Sequence, residues 1–112
     1  MDELNQNTMT LSESYRKYPV ASAALVLLVH VASNGKSELV PDQVLDESTT
    51  SDLDELERAL NPAPPYRLMR SIVDCVIDGG AIGSEICPWY KAIEPLRHLI
   101  GSIPSIAVSR AA

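Results

Sequence analysis

Two histidines, two cysteines and a run of eight acids carry most of the reactive chemistry this chain has to offer. His30 stands inside the apolar run PVASAALVLLVHVAS, and His98 follows Arg97 near the end of a helical pattern, where a cation is mildly favoured. Neither belongs to an HxxxH, HExxH or Cys/His spacing that would gather ligands round a metal, so both read as structural or surface residues. Cys75 and Cys87 form no CxxC pair. A nucleophilic thiol needs a positive neighbour, whereas the neighbours of Cys75 in sequence, Asp74 and Asp78, are negative. No GxSxG occurs. The stretch DGGAIGSE, 78–85, lacks the GK[ST] ending of a phosphate loop and follows a helical pattern rather than a strand, which makes it a helix–helix connection. No catalytic, cofactor or metal site is predicted, and the chain reads as a non-enzyme.

The acidic run extends from Glu38 to Glu57 with eight acids and no base. It lacks the DxDxDG spacing of a calcium loop. Such a run is either a solvated face or a field that steers a basic partner. The net charge of −6 is concentrated there, since residues 1–66 carry 11 acids and 4 bases while residues 67–112 carry 4 and 5. An acidic field repels phosphate backbones, so direct binding to nucleic acid is disfavoured.

The elements that position these residues are helical. Residues 1–14, MDELNQNTMTLSES, are polar without a periodic face and read as a flexible arm, leaving 15–112 as a single helical domain. The first predicted helix starts at Pro19, suited to a first turn, and ends at Asn34-Gly35. It is apolar on every face, so it must be buried on every face. Few short helices can encircle it in a chain of 112 residues, and burial against a second copy meets the requirement, with Leu25, Leu28 and Val29 as the self-association residues. At about 15 residues it is shorter than the roughly 20 that a membrane span needs. Asp2, Glu3 and Glu13 also make its leader acidic, unlike a signal peptide. With two unpaired thiols, the expected location is the cytoplasm.

Residues 36–50 read as a loop, interrupted by Pro41. A second helix is expected over 51–61, capped by Ser51, and a third from about Pro64 to Asp78, stopped by Gly79-Gly80. A fourth lies between about Ser84 and Ile100, and Pro95 should kink or split it. Beyond Gly101 an apolar tail, SIPSIAVSRAA, is expected to extend away. The architecture is therefore all-α, a small dimeric bundle of about four helices with an extended C-terminal tail.

The segment LRHLIGSIPSIAV, with Leu96, Leu99, Ile100, Gly101, Ile103, Pro104, Ile106 and Val108, resembles the C-terminus of quorum-sensing antiactivators of the TraM/QslA type. The resemblance implies a self-associating protein that binds the ligand-binding domain of a LuxR-type transcription factor and blocks its dimerisation or DNA binding. The expected partner-binding residues are Ile103, Ile106 and Val108 in the tail, with Leu39 and Val40 in the loop. The acidic surface also fits an immunity protein or antitoxin that blocks a basic toxin's active site.

Overall fold

The computed structural model describes residues 8–111, with side chains through Ile103. Its first ordered feature lies inside the expected arm. Thr10 and Glu13 form a reciprocal cap: the Glu13 amide donates to Thr10 Oγ1 at 3.2 Å and the Thr10 amide donates to Glu13 Oε1 at 2.8 Å. This T-x-x-E pair satisfies two otherwise orphaned donors and starts helix α1, Leu11–Lys17. Just before it, β1 (Met9–Thr10) pairs antiparallel with β2 (Val44–Leu45), Met9 opposite Leu45. The Leu11 and Ser12 amides continue the pairing onto the Gln43 and Pro41 carbonyls. The expectation of a flexible segment through residue 14 is thus corrected from Thr8 onward, because Leu11 and Ser14 are buried.

Helix α2, Pro19–Ala32, opens on its proline and is closed by Ser33, after which Asn34 and Gly35 take left-handed backbone, φ 57° and 79°. It packs against α1 and against α3 (Glu47–Ala59), α4 (Tyr66–Asp78) and α5 (Ile93–Ala111). Four helices of the same chain therefore surround it, and Leu25, Leu28 and Val29 have no exposed surface. These three are core residues rather than a self-association face. Most of the burial demanded by the sequence is met within one chain, while His30 is exposed and Ala23 and Val26 are half-buried along one face of α2. Ser14 and Ser22 tie α1 to α2, their buried hydroxyls 2.8 Å apart while Ser14 also donates to the Leu11 carbonyl.

Helix α3 begins earlier than expected. Asp46, not Ser51, accepts the first-turn amide, from Thr49 at 2.8 Å. Leu53, Leu56 and Leu60 then face inward as their spacing predicts. Helix α4 ends at Gly79, whose φ of 72° suits a residue without Cβ.

The expected fourth helix is split. A 3-10 segment, Ser84–Ala92, is interrupted by non-helical backbone at Trp89, and α5 starts at Ile93. Pro95 then falls in the first turn of α5, where its missing donor is harmless. The Trp89 indole donates to the Pro62 carbonyl at 2.6 Å, holding this segment to the α3–α4 connection. The expected stop at Gly101 and extended tail are corrected: α5 runs on to Ala111. Leu96, Leu99 and Ile103 form one i, i+3, i+7 stripe across Gly101, all buried, and that packing outweighs the roughly 1 kcal/mol helix penalty of an interior glycine. No helix among the described residues is long and apolar enough to cross a membrane.

Candidate interaction cleft

The residues with obvious chemistry are dispersed. His98 Nδ1 lies 3.6 Å from Asp52 Oδ1, an isolated contact between α5 and α3. Burial pushes the Asp52 carboxyl above its ordinary value, and the His98 cation partly opposes this. Cys75 is a half-buried free thiol that donates to the Gly80 carbonyl at 3.1 Å, and Cys87 is free and exposed. Among the described residues, no group of three or more His, Cys, Asp or Glu side chains is placed to hold a metal ion.

The acidic run divides into members with structural duties and members facing solvent. Asp46 caps α3, Asp54 pairs with Arg58, Asp52 meets His98, and Glu57 accepts the Ala21 amide of α2 at 2.7 Å. Glu38, Asp42 and Glu55 are exposed. Four of the eight acids therefore make contacts within the fold, which the sequence alone does not reveal.

An apolar concavity lies where α1, α2 and the 38–41 loop meet. A cleft of about 420 Å³ is lined by Tyr15, Ala23, Val26, Leu27, His30, Glu38, Leu39 and Tyr66. A second, of about 340 Å³, adjoins it through the shared Tyr15, Val26 and Leu39, and adds Leu11, Ser12 and Pro41. The local folding explains the shape. The Leu11 and Ser12 amides bind the far side of the 41–43 loop, which carries Leu39 over α2. Ala23, Val26 and His30 follow one another along the outer face of α2, and the small Ala23 leaves the floor low. Tyr15, 40% exposed, and Tyr66, 70% exposed, both line the cleft, and partial burial raises the Tyr15 phenol pKa.

Of the expected partner-binding residues, Leu39 lines both parts of this cleft. It is nonetheless largely buried, which corrects its expected exposure. Val40 is half-buried and does not line it. Ile103 belongs to the core, so its place in a partner surface is also corrected. The side chains of Ile106 and Val108 lie outside the described residues. Tyr15, Val26 and Tyr66 were missed from sequence. The T-x-x-E cap was the signal for Tyr15, whereas Tyr66 lies 25 residues or more beyond the other lining residues and carries none. Comparison with protein-family models, with characterised proteins and with solved structures finds no match for this chain.

Proposed function

We propose that this protein is a non-enzymatic antiactivator that binds a LuxR-type transcription regulator in the cytoplasm and keeps it from dimerising or engaging DNA. The observation that carries the reading is the open apolar cleft around Tyr15, Val26 and Leu39. Apolar concavities left uncovered on a folded chain are where partners dock, with a few buried anchors supplying most of the affinity. The net charge of −6 supports action on a protein rather than on nucleic acid. The LxxLIGxIPxIxV ending supports the choice of a LuxR-type target. Size exclusion of the protein mixed with a purified LuxR-type ligand-binding domain tests this. A new complex at micromolar concentration is expected, and unchanged elution of both proteins would overturn it.

A second reading draws on the exposed Glu38, Asp42 and Glu55: an immunity protein or antitoxin that covers a basic active site. Its complex would weaken steeply with salt, whereas one anchored by apolar side chains would not.

A further inference from the structure

We infer that the connection between α3 and α4, residues 62–66, is a preformed polyproline II ligand for a partner protein that presents an aromatic-lined groove. Pro62, Pro64 and Pro65 fix their own φ, and Pro64 and Pro65 each keep the residue before them extended, so Ala63 and Pro64 have little freedom left. Pro65 has φ −63° and ψ 158°, which is the polyproline II conformation. Burial follows the same geometry. With about three residues per turn, Pro62 and Pro65 share one edge, and Ala63 and the following Tyr66 share a second. Pro64 stands on the third edge and is buried, while Pro62, Ala63, Pro65 and Tyr66 are exposed. The segment therefore rests on the bundle along one edge and offers the other two.

Hydrogen bonding holds the ends and leaves the middle open. The Pro62 carbonyl accepts from the Trp89 indole, and the Pro65 carbonyl accepts from the Met69 amide in the first turn of α4. Among the described residues, nothing donates to the carbonyl of the exposed Ala63. The Trp89 contact shows the chemistry that a partner groove repeats, an indole N–H donating to a carbonyl of a proline-rich strand. A ligand held at both ends in its bound shape loses little entropy on docking. Pro62 and Pro65, about 9 Å apart along such a strand, then fill adjacent slots between aromatic rings. This surface is distinct from the floor of the α1–α2 cleft, which it meets only at Tyr66.

The test titrates an SH3 domain, whose aromatic-walled groove takes PxxP segments, into the isotopically labelled full chain. Saturable shifts of the Ala63 and Tyr66 amide signals are expected, reversed by a competing PxxP peptide. Pro65→Ala should weaken binding about tenfold. Ala63→Glu should do the same, and because Ala63 is exposed and outside both helices its circular dichroism should be unchanged. Val44→Ser removes an exposed apolar side chain from β2 and should alter binding less than about twofold. Trp89→Phe keeps the ring and removes the donor to Pro62, so it should weaken binding while the same amides shift. No shift at millimolar SH3 domain, shifts centred away from residues 62–66, or equal losses in Ala63→Glu and Val44→Ser would overturn the inference.

Discussion

Glu57 on α3 accepts a 2.7 Å hydrogen bond from the backbone amide of Ala21, in the first turn of α2. Tyr18 precedes that turn and gives no side-chain cap, so α2 obtains its cap from a residue 36 positions away. The carboxylate also lies at the positive end of the helix dipole. An apparently solvated member of an acidic run thereby orients the central helix of the bundle.

Replacing Glu57 with alanine should cost about 1 kcal/mol, the usual value of a lost helix cap. Glu57→Gln, which keeps an acceptor without the charge, should cost less. Urea denaturation followed by circular dichroism measures both, and an unchanged midpoint for Glu57→Ala contradicts the capping role.

Thr49 is fully buried, and its hydroxyl has no hydrogen-bond partner among the described residues. Its amide, by contrast, is satisfied by Asp46. Thr49→Val keeps the shape and the capped amide while removing the unpaired hydroxyl. A gain of about 1 kcal/mol is expected from removing such a group. A loss in thermal or urea melts would show that the hydroxyl is bonded after all.

Asp52 sets a pH dependence. Its folded-state carboxyl is raised above the ordinary 3.8 by burial, so the folded chain binds this proton more readily than the unfolded chain. The group's contribution is fully present below the unfolded value and is lost as pH rises through the folded one. Charged Asp52 therefore opposes folding at neutral pH. Asp52→Asn should be more stable than the parent at pH 7, with the gain shrinking as both are acidified below the ordinary carboxylate range. His98→Ala, which removes the opposing cation, should move the Asp52 carboxyl titration still higher by NMR.

Leu28→Ala should cost 2–5 kcal/mol, the usual range for a truncated core leucine, and the loss should not depend on protein concentration. Ile103→Ala should behave alike, since Ile103 is buried in the same core. Concentration-dependent melting of the parent that Leu28→Ala abolishes would instead return Leu28 to a dimer interface.

The helices were legible in the sequence where periodicity and punctuation agree. Leu53, Leu56 and Leu60 gave the buried stripe of α3, and Gly79 the end of α4. The apolarity of α2 correctly demands burial of most of its surface, but sequence alone cannot count the helices available to pack on it or show that Ala23, Val26 and His30 stay partly open. Gly101 misleads for a related reason: a glycine signals a stop only where the apolar stripe also stops, and here Ile103 continues it. The cleft was legible only at Leu39. Its other walls meet through α1, whose T-x-x-E cap is a short signal, and through Tyr66, which only the tertiary arrangement brings near.

The central claim is that the regulator binds through the α1–α2 cleft. Isothermal titration of a LuxR-type ligand-binding domain into the parent protein and into Val26→Asp, each first shown folded by circular dichroism, tests it most directly. Micromolar or tighter binding to the parent and at least about tenfold weaker binding to the variant is the predicted result. Equal affinity for the two, or no binding to the parent, would contradict it.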